Sequence, residues 1–244
     1  MPRMLVTRAL IDAADTIGRL GAIGIEGIAA PLLECVPLHT SLPVPNGFAG
    51  LALTSTNALR MLAERQALAP FLGLKVFAVG DKTAAAARAY GFADVVTGGG
   101  TLAHLVKAIA AAGDTGPIFY PAARHQSGDL AKELAPFGIM VVTSKVYEMR
   151  AAQSLAPEII DELSAGRLAA ALFYSRRTAE IFVGLTENHL GREARTRLGM
   201  LCLSEGTAAP LVAARFVRIG LADQPSEEAM MALALSFARD QNAS

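Results

Sequence analysis

A chain of 244 residues that is 52% hydrophobic and only 18% charged carries too much apolar content and too little charge to stay disordered. Its 22 acidic and 22 basic residues cancel, which argues against a polyelectrolyte partner such as nucleic acid. Mean hydropathy is positive at +0.39, yet Arg, Asp, Gly or Pro interrupts every rich stretch short of the ~18 apolar residues a membrane span requires. The opening Met1-Pro2-Arg3-Met4-Leu5 lacks a signal-peptide pattern. The two cysteines, Cys35 and Cys202, form neither a CxxC pair nor a disulfide framework and read as buried, inert thiols. A soluble, cytoplasmic protein with room for two small α/β domains is expected.

Taken in chain order, short apolar runs at 4–7, 28–36, 51–54, 76–79, 94–96, 118–120, 139–142, 171–174, 200–203 and 216–219 predict strands. Helical spacing fills the intervals. Leu10, Ala14 and Ile17 share a face, as do Leu102, Leu105, Val106 and Ile109. Met230, Leu233, Ala234 and Phe237 follow the start signal Pro225-Ser226. Continuous apolar strands alternating with amphipathic helices predict an α/β fold with parallel sheets covered on both faces. Two stretches break the rhythm. Residues 37–45 are rich in proline and read as a linker. A second candidate covers 143–151, where Lys145-Val146-Tyr147-Glu148-Met149 is strand-like. The expected organisation is one discontinuous domain, 1–36 plus 152–244, and a second domain at 46–142.

The sequence also repeats itself. Leu53-Thr54-Ser55-Thr56-Asn57-Ala58 resembles Phe173-Tyr174-Ser175-Arg176-Arg177-Thr178, and Val76 to Ala84 resembles Met200 to Ala208. A weaker pair, Met4 to Arg8 against Ile118 to Pro121, opens one copy and closes the other. The two domains are therefore expected to be circular permutations of each other, with five strands apiece.

Ligands of open parallel sheets sit beyond the carboxyl ends of the strands. The residues there include Thr7, Arg8, Thr54, Ser55, Gly80, Thr83, Tyr120, Arg124, Ser175, Ser204 and Thr207. Ser55, Thr83, Ser175 and Thr207 read either as helix N-caps or as a cradle for carboxylates or phosphates. Other chemistries are missing. Val79-Gly80-Asp81-Lys82-Thr83 lacks P-loop spacing, Gly98-Gly99-Gly100 is no dinucleotide fingerprint, and no nucleophile elbow appears. His39, His104, His125 and His189 show no metal spacing. No carboxylate pair has an acid–base setting, so an enzyme here would act mainly by orienting its substrate. Tyr147, in the second linker, reads either as a packed aromatic or as a group facing a cleft between the domains.

The ordered set Leu5-Val6-Thr7-Arg8, Leu53-Thr54-Ser55, Val79-Gly80-Asp81-Lys82-Thr83, Tyr120-Pro121-Ala122-Ala123-Arg124, Val146-Tyr147, Tyr174-Ser175 and Thr207-Ala208 resembles the uroporphyrinogen-III synthase family. That resemblance implies two similar parallel-sheet domains, a two-stranded linker and an active site in the interdomain cleft. It implies cyclisation of hydroxymethylbilane to uroporphyrinogen III, a cyclising hydro-lyase reaction with loss of water and inversion of ring D, serving haem, sirohaem and cobalamin synthesis. No metal or organic cofactor is expected. Tyr147 is the implied catalytic residue, with Thr7, Arg8, Ser55, Thr83, Arg124, Ser175 and Thr207 holding the substrate. A monomer is expected, with possible hand-over of substrate from hydroxymethylbilane synthase. The family's usual Thr-Arg-Pro is here Thr7-Arg8-Ala9, and its usual strand-end glycine is here Ser204, followed by Glu205. These departures keep a second reading open, a non-catalytic ligand-binding or regulatory module on the same scaffold.

Overall fold

The computed structural model describes residues 1–126 and 128–242. Residues 1–34 and those from Arg150 onward make one compact unit, and Cys35–Met149 make the other. The chain passes between them after Glu34 and after Met149. Among the described residues the strands run, in chain order, as β1 (Arg3–Val6), β2 (Glu26–Ala29), β3 (Leu33–Pro37), β4 (Gly50–Leu53), β5 (Val76–Ala78), β6 (Val95–Thr97), β7 (Ile118–Ala123), β8 (Val141–Ala151), β9 (Ala170–Phe173), β10 (Gly199–Cys202) and β11 (Arg218–Leu221). Among the same residues no helix is long and apolar enough to cross a membrane.

The first unit holds a five-stranded sheet in the order β11-β10-β9-β1-β2, parallel throughout. The second holds a six-stranded sheet, β3-β8-β7-β4-β5-β6, parallel from β8 to β6. Counted from β4, the second unit's parallel strands lie in the order 3-2-1-4-5. The first unit has the same order when the count begins at β9 and continues through β1 and β2. The two sheets are thus circular permutations of one arrangement.

Alternation along each strand feeds two dry faces. Leu5, Ala171, Phe173, Met200 and Cys202 pack on one side of the first sheet, while Met4, Val6, Ala170, Leu172 and Leu201 pack on the other. In the second unit Leu51, Leu53, Val76, Ala78 and Phe119 oppose Ala52, Phe77, Ile118 and Tyr120. This is why the strands read as unbroken apolar runs. Each fully buried Leu or Phe contributes about 1.5–3 kcal/mol relative to exposure. Helix starts are set locally. Thr101 accepts the His104 N–H at 3.2 Å, and Ser226 accepts the Ala229 N–H at 3.2 Å ahead of helix Glu227–Asn242.

One sequence expectation changes. The apolar run 28–36 is two strands in different sheets, β2 and β3. Ala30 N–H still donates to the Val6 carbonyl at 2.9 Å and Leu32 N–H to the Thr7 carbonyl at 3.1 Å. Pro31 between them has no N–H to give, and the chain leaves the first sheet there. The strand-like stretch 143–151 lies inside β8, which extends from 141 to 151. It has partners on both sides, β3 and β7, and that satisfies its backbone.

The Gly98-Gly99-Gly100 run is structural. Gly99 and Gly100 have φ of +75° and +94°, and a Cβ on Gly98 would stand 2.9 Å from Leu105 Cα and 3.2 Å from the Ala78 carbonyl oxygen. Those neighbours are backbone and cannot swing aside. Gly98→Ala is expected to destabilise the second unit by about 1–3 kcal/mol in urea unfolding, and an unchanged midpoint would contradict this packing.

Candidate active site

At the carboxyl ends of β4, β5 and β7, the second unit opens a cavity of about 300 Å³. Thr54, Ser55, Gly100, Tyr120, His125 and Tyr147 are in its wall. Its position follows the general rule for open parallel sheets. Tyr147 reaches it because of an irregularity in β8. Ala122 of β7 is opposite Lys145, yet the next residue, Ala123, is opposite Tyr147. Val146 is therefore an extra residue in β8, a bulge that breaks the inward–outward alternation. Val146 and Tyr147 are consequently both buried, at 0% and 5% exposure. Regular pleating would have sent one of them to the opposite face.

The Tyr147 phenol and the Ser55 side chain lie together in the cavity wall and interact there. Ser55 also caps helix Thr56–Glu64, accepting the Asn57 N–H at 3.1 Å. Burial pushes the Tyr147 phenol above its ordinary value, with Ser55 acting in the opposite sense. Tyr120 has the same arrangement: its hydroxyl is 3.0 Å from Thr54 Oγ1, and burial raises its pKa. Both phenols therefore keep their protons through the neutral range. Arg124 stands beside the cavity, with its N–H donating to the Tyr147 carbonyl at 2.7 Å and its guanidinium 2.5 Å from Glu148.

The hydroxyl residues divide into two kinds. Ser55 and Ser175 are N-caps; Ser175 accepts the Thr178 N–H at 3.2 Å. Thr83 and Thr207 are not caps but sit inside the first turns of their helices, at 6% and 4% exposure. The caps there are Gly80, which offers no side chain, and Ser204, which accepts the Thr207 N–H at 3.3 Å. The start of helix Asp81–Ala89 is thus the one of this pair that no side-chain cap covers. Glu205, in the first turn of its helix, is exposed.

Thr7 and Arg8 have their polar atoms engaged within the first unit. Thr7 is fully buried and donates its hydroxyl to the Leu172 carbonyl at 2.6 Å. Arg8 pairs with Glu227 at 2.5 Å and lies 4.2 Å over the Tyr174 ring. Glu227 also accepts from Tyr174 at 2.9 Å and from Thr16 at 3.0 Å. One carboxylate therefore ties β1, β9 and helix Leu10–Ala22 to helix Glu227–Asn242. Of the two thiols, Cys202 is buried but Cys35 only half so; burial pushes them to about 12 and about 11.

The cavity wall also includes Gly100, Tyr120, His125 and Gln126, to which the sequence assigns no role. Tyr120 is among the strand-end residues, and that is its signal. Nothing in the sequence distinguishes Gln126. Among the described residues no group of three or more His, Cys, Asp or Glu side chains could hold a metal ion.

The family model described as uroporphyrinogen-III synthase HemD matches residues 14–232. No curated protein matches the chain. Among solved structures, uroporphyrinogen-III synthetase from Helicobacter pylori 26695 is similar with a TM-score of 0.67 at 20% identity, over 97% of this chain and 99% of that one. A mutant uroporphyrinogen III synthase from the extremely thermophilic bacterium Thermus thermophilus is similar with a TM-score of 0.51 at 18% identity, over the whole of both chains.

The engaged state of Arg8 has a measurable consequence. Glu227→Gln removes the shorter of two ion pairs of Arg8, leaving Asp12 at 3.8 Å, and is expected to lower the stability of the first unit by about 1–3 kcal/mol. Urea unfolding followed by circular dichroism checks this; equal midpoints would mean that the cluster does not hold the helix.

Proposed function

This chain belongs to the uroporphyrinogen-III synthase family, and on that premise we propose that it converts hydroxymethylbilane to uroporphyrinogen III with loss of water and inversion of ring D. Membership makes it an enzyme of tetrapyrrole synthesis. The observation that carries the finer reading is the buried Tyr147 phenol in the wall of a cavity at the strand ends, together with Ser55.

The chemistry begins with departure of a hydroxyl from the ring A carbon, which needs a proton. Ser55 Oγ already accepts the Asn57 N–H, so its own proton is free to be donated to Tyr147. That arrangement leaves the Tyr147 proton for the leaving hydroxyl, which departs as water. The resulting azafulvene is attacked by ring D at its substituted carbon, giving a spiro-pyrrolenine that reopens and recloses with the ring inverted. Loss of one proton from ring D completes the aromatic pyrrole and balances the proton given to water. Closure without inversion gives the type I isomer, so the protein's task is to hold one folded conformation of the chain.

The substrate's carboxylates are the handles for that task. Ser55, Thr83 and Arg124 serve in the second unit, and Ser175 and Thr207 in the first. Main-chain N–H groups at the helix starts do much of this work, which fits a chain of zero net charge. The uncovered start of helix Asp81–Ala89 suits a carboxylate best. Thr7 and Arg8 support the site by holding β1 in place.

Incubation with enzymatically generated hydroxymethylbilane, followed by separation of product isomers, tests the reading. Type III product above the spontaneous rate is expected; type I alone would overturn it and favour the non-catalytic module. Tyr147→Phe is expected to lower the rate about 10- to 100-fold while the fold is kept. A raised phenol pKa holds the proton to higher pH, so Tyr147 is expected to cause no break in the rate between pH 6 and 9; its limb lies above about 10. A break in that range that disappears in Tyr147→Phe would show the phenol to be ionised there and contradict a proton donor.

A further inference from the structure

The first unit has a second cavity, of about 560 Å³, at the amino ends of β10 and β11. It lies at the sheet edge opposite the turns that carry Ser175 and Ser204. Leu190, Thr196 and Val217 share its wall with Arg192, Arg195 and Arg215. Arg195 is fixed by backbone carbonyls, donating to Leu190 at 2.9 Å, Ala214 at 2.9 Å and Glu187 at 3.0 Å, and its guanidinium lies 5.6 Å over the Phe216 ring. Those acceptors carry no charge, so its positive charge is not cancelled. Neither the Arg192 nor the Arg215 side chain has a hydrogen bond or ion pair with any described residue. The neighbouring acid Glu193 is already paired with Arg197.

The backbone adds an independent observation. Helix Glu205–Ala213 ends in a turn where Arg215 N–H donates to Val212 and Phe216 N–H donates to Leu211. Helix Asp81–Ala89, its counterpart in the permuted copy, ends in the same turn, with Gly91 N–H donating to Arg88 and Phe92 N–H to Ala87. The left-handed position is glycine in one copy, with φ +100°, and arginine in the other, with φ +66°. Glycine is the unstrained choice there, and a side chain costs about 1 kcal/mol or more. The first unit tolerates that cost at the residue that puts a third guanidinium into the cavity.

We propose that this cavity binds a small molecule bearing two anionic groups, carboxylate or phosphate, on a partly apolar body. Guanidinium forks match both anions in geometry and charge. Leu190 and Val217, the latter 63% exposed, give the body an apolar wall. The site is separate from the reaction proposed above.

Calorimetric titration of the full chain with isophthalate and with 1,3-phenylene bisphosphate tests this and tells the two anion classes apart, with inorganic phosphate as the anion lacking an apolar body. Saturable binding of one aromatic probe, tighter than inorganic phosphate, is expected. Arg192→Gln and Arg215→Gly should each weaken it about tenfold or more. Arg215→Gly should at the same time raise the Tm by about 2–4 °C, because it removes the strained backbone. That opposite response separates loss of a ligand contact from loss of fold. Absence of binding, binding no tighter than that of inorganic phosphate, or variants that bind like the wild type would each overturn the proposal.

Discussion

One extra residue in β8 decides what the second unit can do. A strand alternates its side chains by strict geometry, and Val146 and Tyr147 would face opposite ways on a regular pleat. The bulge lets both turn inward. Val146 fills the core, and the Tyr147 hydroxyl arrives at Ser55, which the end of β4 has placed at a helix start. Three local events thus converge: a register shift in one strand, a cap on one helix and the common level at which parallel strands end. The burial that keeps the phenol protonated is a product of the same packing, because the ring that lines the cavity also belongs to the core.

The duplication explains which features are scaffold and which are specialised. Both copies have the strand order 3-2-1-4-5, both place a capping serine after their first strand, and both bury a threonine in the first turn of the helix after their second strand. Such shared features belong to the duplicated unit as a whole. The copies part company at single positions. Gly80 leaves a helix start without a side-chain cap where Ser204 provides one, and Arg215 occupies the left-handed turn that Gly91 takes without strain. Where a common scaffold differs at one residue, the difference reports a local task rather than folding.

Much of this was legible in the sequence because it rests on local chemistry. Alternating strands and helices, the repeat around Ser55 and Ser175, and the start signal at Ser226 are all set by neighbours in the chain. What could not be read depends on distant partners. The run 28–36 is continuously apolar on both sides of Pro31, and only the hydrogen bonds to β1 show where one sheet is left for another. The pairing of residues 143–151 with β3 and β7 likewise depends on segments outside the stretch itself. Arg8 is the plainest case. It is a strand-end cation in the sequence, and the carboxylate it pairs with, Glu227, lies 219 residues further along. Thr83 and Thr207 lie one turn too far along to cap, a distinction smaller than boundary reading resolves.

The split build of the first unit matters for the order in which the chain is made. β1 presents Met4, Leu5 and Val6, none of them solvent-accessible in the folded protein, and one of its two neighbours is β9. That neighbour begins at residue 170, and the carboxylate that clasps Arg8 comes only at 227. At a synthesis rate of about 5–20 residues per second, the opening segment waits roughly 7–30 s for its companion strand. During that interval the middle of the chain, residues 35–149, emerges whole and contiguous. In a nascent polypeptide of this design the inner unit is therefore complete before β1 can pair with β9.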